Sequence, residues 1–136
     1  MLKFTYTEMG INIERSNQSL EELVMLRIVL AMRVGERITV APGTASFLLP
    51  ANLQCWNLLK VVLQKSLDDT ITLCQCDAEF IEVSLRGTWI AQDSDCEEGI
   101  FLAELGEALP GSLAERAEFI LFKLWQESLA CPSSLR

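Results

Sequence analysis

The chain of 136 residues contains no histidine. That absence removes the commonest general base, the commonest metal ligand and every triad built on an imidazole. Tyrosine occurs once, as Tyr6, and no glycine-rich phosphate loop is present. An enzyme made from this sequence would have to work with carboxylates, Lys, Cys or Tyr6, and the Asp and Glu residues lie mostly in turn-like stretches. No catalytic residue, no cofactor-binding residue and no cofactor is assigned, and a non-enzymatic role is expected.

Long hydrophobic runs are also missing. The most apolar segment, Leu23 to Met32, is interrupted by Arg27 and falls short of the roughly 20 residues of a membrane span. The opening "MLKFTYTEMG" alternates polar and apolar residues and lacks the apolar centre of a signal peptide. A cytoplasmic protein without a membrane partner is expected. The five cysteines, Cys55, Cys74, Cys76, Cys96 and Cys131, are odd in number and show no C-x-x-C spacing. Cys55, Cys74, Cys76 and Cys96 could in principle form a four-thiolate zinc site. Reduced thiols in a chain large enough to fold without staples are the simpler reading, and no metal is expected.

What is present is apolar mass in a regular pattern. Half of the residues are hydrophobic and the mean hydropathy is +0.26, which suggests that apolar surface is shared with a partner. Leu2, Phe4 and Tyr6 alternate with Lys3, Thr5 and Thr7, the pattern breaks at Met9-Gly10, and Ile11 and Ile13 resume it, so the first 16 residues read as a hairpin. "AEFIEVSLRGTWIAQ" gives the cleanest strand, with Ile81, Val83, Leu85 and Trp89 on one face and Glu82, Ser84, Arg86 and Thr88 on the other. In "APGT", Pro42 and Gly43 occupy the central positions of a type II turn.

Two helices are expected after the Leu-Pro pairs at 49–50 and 109–110, with Asn52 and Ser112 as N-caps. On the first, Cys55, Trp56, Leu58, Leu59, Val62, Leu63 and Leu67 share the apolar half. On the second, Leu113, Ala117, Ile120, Leu121 and Leu124 form the apolar stripe, opposite Glu115, Arg116, Lys123, Gln126 and Glu127. Phe119 falls on that wet face and Phe122 at its edge, which leaves three roles open: plain exposure, cover by another part of the chain, or a contact with a second chain.

At an offset of sixty residues, Ile11 and Ile13 fall on Ile71 and Leu73, Leu23, Met25 and Val29 on Val83, Leu85 and Trp89, and Leu49-Pro50 on Leu109-Pro110. The chain then reads as one α+β domain over 1–130, an antiparallel sheet with two helices, in pseudo-repeat halves of about 1–67 and 68–130, followed by a tail at 131–136. Strands closed by a helix, twice over, resemble the Whirly-like fold of single-stranded-DNA-binding transcriptional regulators, a fold also shared by small proteins of photosynthetic bacteria. The resemblance is one of element order and transfers no functional residue.

The segment "SLEELVMLRIVLAMRVGERITV" admits two readings. Ser19 and Glu22 form a capping box ahead of an apolar helix. The sixty-residue counterpart, and Ile38 to Val40 as an antiparallel neighbour, favour a long strand turning at Gly35-Glu36. As a strand it is apolar on both faces, which predicts a homodimer or higher oligomer with Met25 and Val29 at or near the interface.

Charge is uneven along the chain. Residues 1–67 hold 7 Lys/Arg and 5 Asp/Glu, net +2, whereas residues 68–136 hold 4 and 14, net -10. Arg27 and Arg33 share a face of the expected strand and Arg37 follows closely, so a phosphate backbone could lie there. The overall charge of -8 opposes polyanions, and arginines at a subunit interface are the preferred explanation. "DSDCEEG", residues 93–99, lacks the ligand order of a calcium loop and reads as a solvated turn. The expected function is therefore a protein-interaction or regulatory module, with single-stranded nucleic-acid binding through Arg27, Arg33 and Arg37 as the alternative.

Overall fold

The alternation of Leu2, Phe4 and Tyr6 becomes strand β1 (Leu2–Thr7), and Ile11 and Ile13 belong to β2 (Gly10–Arg15), joined through Glu8 and Met9 in the expected hairpin. The computed structural model describes residues 1–66, 70–92, 95–105 and 111–130. Beyond the hairpin the order is α1 (Leu20–Arg33), β3 (Ile38–Pro50), α2 (Trp56–Ser66), β4 (Ile71–Gln75), β5 (Phe80–Gln92), β6 (Asp95–Ala103) and α3 (Gly111–Ala130). The class is α+β: six strands form one sheet in the order β2-β1-β6-β5-β3, with β4 pairing β5. The strand pairs with a described register are antiparallel. Three helices accompany the sheet where the sequence suggested two.

The additional helix is α1, which corrects the strand reading of residues 19–34. Its ends explain the outcome. Ser19 is extended (φ -74°, ψ 160°), and its Oγ accepts from the Glu22 backbone N–H at 3.2 Å, the N-cap contact of a capping box. At the other end Gly35 takes φ +73°. Its N–H donates to the Met32 carbonyl at 3.2 Å, and the Glu36 N–H reaches back to the Ala31 carbonyl at 2.8 Å. This pair of bonds is a Schellman stop, which satisfies the last carbonyls and favours glycine at the left-handed position. The same Gly35 that suggested a strand turn is a helix terminator.

Contacts divide the chain into two units, Met1–Thr44 with Arg86–Glu104, and Ala45–Leu85 with Leu105–Arg136, and β3 and β5 each contribute to both. In the first unit β1 pairs β6 and β6 pairs β5, placing Phe4 opposite Phe101, Trp89 opposite Phe101 and Ile90 opposite Ile100. One sheet face is aromatic. Trp89 and Phe101 stack at 4.7 Å between centroids, while Phe4 meets Phe101 at 5.8 Å and Tyr6 meets Trp89 at 5.7 Å, both edge to face. The opposite face is aliphatic. There Leu23 of α1 buries against Ile90, Ile100 and Leu102, with Met1, Leu20, Val24 and Ile38 packed around them.

Pro42 and Gly43 correct a second expectation, since they lie inside β3 and make no turn. Strand β3 stands last in the sheet order, where a missing N–H is tolerated. The Trp89 indole lies against the Gly43 backbone, in the space a side chain there would occupy.

In the second unit, Ile71 pairs with Leu85, Leu73 with Val83 and Gln75 with Ile81, and Asp77 Oδ1 fastens the β4–β5 turn by accepting from the Glu79 and Phe80 N–H groups at 2.7 and 2.9 Å. Trp56, Leu59 and Val62 of α2 and Ala117, Ile120, Leu121 and Leu124 of α3 are buried, much as their wheels require. Leu58, placed on the apolar half, is exposed. Asn52 stands in a turn four residues before α2, and Ser112 lies within the first turn of α3, so neither caps its helix. Leu67, the Leu109-Pro110 pair and the tail 131–136 lie outside the described residues. At the sixty-residue offset, β2 falls on β4 and α2 on α3, but α1 falls on β5, helix on strand.

Because Gly35 is the residue that lets α1 stop, Gly35→Val should destabilise the protein by about 1–2 kcal/mol, the cost of a side chain in the left-handed region. Urea denaturation should show a lower midpoint with an unchanged slope.

Candidate interaction surface

Placing the residues of α1 at 100° intervals puts Leu20, Leu23, Val24 and Ala31 toward the sheet. A helix of this kind should be polar on the other side. Apart from Arg27 at its middle, this one is polar only at its ends. Glu21 and Glu22 stand in the first turn and Arg33 in the last, where each sign suits the helix dipole. Between them Met25 is 58% exposed, Leu26 49%, Val29 40%, Leu30 43% and Met32 73%. These side chains form an apolar strip along the outward face of one helix, with an apolar area on the order of 500 Å², which is at the upper end of patches on a typical monomer.

Two grooves lie in the first unit beside this helix. One, of about 320 Å³, is walled by Leu30, Ala31, Val34, Ile38 and Ile90, with Glu98 at its margin. The other, of about 330 Å³, is walled by Leu23, Leu26, Leu30, Ile100 and Leu102, with Lys3 and Glu14 beside them. Arg27 lines both.

Met25 and Val29 are thus on an exposed apolar surface, though on a helix and not a strand. Arg27 and Arg33 lie on α1 as well, and Arg37 stands in the loop before β3. The shared sheet face that a strand would give Arg27 and Arg33 does not exist. Six positions apart on a helix, they point about 120° from one another. Phe119 and Phe122 belong to the second unit. Phe119 is 45% exposed on α3 with the Lys123 Nζ 5.5 Å from its ring centroid, and Phe122 is half-buried.

The sequence reading missed Leu26, Leu30 and Met32, which only become neighbours of Met25 and Val29 at helical spacing. It also missed Glu127 of α3, placed on the wet face as a solvated charge. Glu127 Oε2 accepts from the Gln54 N–H and Oε1 from the Cys55 thiol, both at 3.1 Å. The carboxylate meets the chain just before α2, where a helix leaves N–H groups without partners. Its hydrogen bond to the thiol, aided by partial burial, raises the Cys55 pKa above the ordinary thiol value. Cys74 and Cys76 are free and exposed on and beside β4. The Cys96 side chain and Cys131 lie outside the described residues, as do Asp93 and Ser94 of the acidic turn. Among the described residues no group of three or more Cys, Asp and Glu side chains gathers as a metal cluster. No helix among them is long and apolar enough to cross a membrane.

The chain matches the Alr0857-like family over residues 1–129 and belongs to that family. No curated protein and no solved structure matches it.

The Glu127 contact has a chemical signature. Thiolate is the reactive form of cysteine, so at mildly alkaline pH Cys55 should alkylate more slowly than Cys74 and Cys76. Mass-spectrometric mapping after brief iodoacetamide treatment should show this order, and Glu127→Ala should accelerate modification of Cys55.

Proposed function

We propose that this member of the Alr0857-like family is a non-enzymatic protein-interaction module that works as a homodimer, with the outward face of α1 as its contact surface. The observation that carries the reading is the exposure of Met25, Leu26, Val29, Leu30 and Met32 on one helix. The aliphatic sheet face is met by Leu20, Leu23 and Val24. Apolar side chains of this size left in water favour association, and their burial between chains is the usual resolution. Regulation through a further protein partner is compatible with this surface.

A second reading, single-stranded nucleic-acid binding in the manner of Whirly-like regulators, draws on Arg27, which lines both grooves, with Lys3 in one of them. Arg33 and Arg37 would have to supplement it from separate directions. Against it stands the charge of the unit that carries these residues, 6 Lys/Arg against 10 Asp/Glu, net -4.

Val29 stands at the middle of the apolar strip, so Val29→Glu should convert a dimer to a monomer in analytical ultracentrifugation at micromolar concentration. The far-UV spectrum should be unchanged, because the residue is outside the core. Fluorescence anisotropy with a labelled DNA single strand at about 150 mM salt should detect only weak, salt-sensitive binding. Sub-micromolar affinity lost on Arg27→Glu would instead place the second reading first.

A further inference from the structure

The outward face of α1 has an internal symmetry. Glu22, Leu26, Val29 and Arg33 are spaced by four, three and four residues, and on the helical wheel they fall within a stripe about 60° wide. That spacing is the seam of a short coiled coil. Met25 flanks the stripe on one side and Leu30 on the other. An antiparallel copy of the same helix, related by a two-fold axis passing between positions 27 and 28, would set Leu26 against Val29 of the second copy and Glu22 against Arg33, while Met25 on one flank and Leu30 on the other would each lie beside its own counterpart across the axis. The Leu26–Val29 and Glu22–Arg33 contacts then occur twice, as a two-fold interface demands, and each end is closed by a pair of opposite charges.

From this we infer that α1 pairs with α1 of a second copy in an antiparallel arrangement, with Leu26 and Val29 in the centre and reciprocal Glu22–Arg33 pairs at both ends. The inference rests on the proposed role of this face as a dimer surface and adds the direction and register of pairing. Charge decides the direction. In a parallel pair Glu22 would meet Glu22 and Arg33 would meet Arg33, so both ends would repel. The helix dipole accounts for an acid in the first turn and a base in the last. It does not account for their lying on the same narrow stripe as Leu26 and Val29, when Glu21 in the same first turn lies about 100° away. Area agrees as well. A standard interface buries about 800 Å² on each partner, somewhat more than half of it apolar, which the strip of about 500 Å² supplies.

Charge reversal tests the register in the full-length protein. Glu22→Arg alone puts Arg against Arg at both ends, and Arg33→Glu alone puts Glu against Glu. Each single variant should raise the dimer dissociation constant about tenfold or more at low salt, and by less at high salt. The double variant E22R/R33E should return to within about threefold of the parent, since it restores both pairs in reverse. Because reversal opposes the helix dipole, Glu22→Gln and Arg33→Gln serve as milder variants, and thermal unfolding verifies that all of them fold. Sedimentation equilibrium reads the result. Rescue by the double variant supports the antiparallel register. Single reversals without effect, or a double variant as weak as the singles, overturn it, and if Val29→Glu still dissociates the dimer the contact surface itself stands. A dimer that survives Val29→Glu overturns both the surface and the register. A parent chain that is monomeric throughout the micromolar range overturns the pairing and leaves only a contact with a different protein.

Discussion

Strands β5 and β6 carry large apolar residues at consecutive positions, Trp89-Ile90 in one and Ile100-Phe101-Leu102 in the other. Successive side chains of a strand point to opposite faces, so this stretch of sheet needs apolar cover on both sides. Register aligns the demands: Ile90 faces Ile100 and Trp89 faces Phe101 across the pair. The aromatic side chains gather on one face and the aliphatic ones on the other, where α1 covers them. Each buried Ile or Leu contributes roughly 1.5–3 kcal/mol, so an uncovered aliphatic face would forfeit a large part of a typical domain's stability. The helical state of residues 20–33 follows from that requirement as much as from its own caps.

Much of the architecture was legible because it obeyed one period at a time. The hairpin, the inward side of α3 and most of that of α2, and the alternation of Ile81, Val83 and Leu85 were each written in a single repeat. Segment 20–33 was harder, since residues that are apolar almost all round satisfy a period of 2 as readily as one of 3.6. The decisive marks stood at its ends, in Ser19 with Glu22 and in Gly35, and they were outweighed by an alignment with β5 that matched apolar residues to apolar residues regardless of conformation. Pro42-Gly43 misled for a related reason. Its turn chemistry is sound locally, but a strand at the end of the sheet tolerates proline, and the indole of Trp89 fills the place of the missing side chain.

The candidate site was legible only in part. Met25 and Val29 are exposed because too many apolar residues occupy too short a segment for one face to hold, which is true of a strand and of a helix alike. Arg27 and Arg33 were different, because their relation depends on parity in a strand and on angle in a helix, and the change of conformation separated them. The charge asymmetry dissolves in the same way. The chain halves differ by 12 charges, +2 against -10, yet the two contact units carry -4 each, because Arg86–Glu104 groups with Met1–Thr44. Position along the chain is a poor guide to fields on a surface when strands are shared between units.

The cover that α1 gives the sheet takes few of its side chains: the two that are buried are Leu23 and Ala31, and one of these is the smallest side chain that can pack. A helix serving only as cover would concentrate its bulk inward and end its outer face in Lys and Glu. In α1 much of the bulk points outward, and apart from Arg27 the charges are kept to the termini. That distribution limits what association can do. An apolar patch that fits a different surface of the same molecule propagates into filaments, whereas one that fits itself closes at two. Polar residues at both ends of a two-layer seam favour the closed outcome, since sliding the helices by a turn would place Glu22 or Arg33 against Leu26 or Val29 and bury a charge without its partner. The same four positions that would hold the proposed pair together would thus also oppose its neighbouring registers.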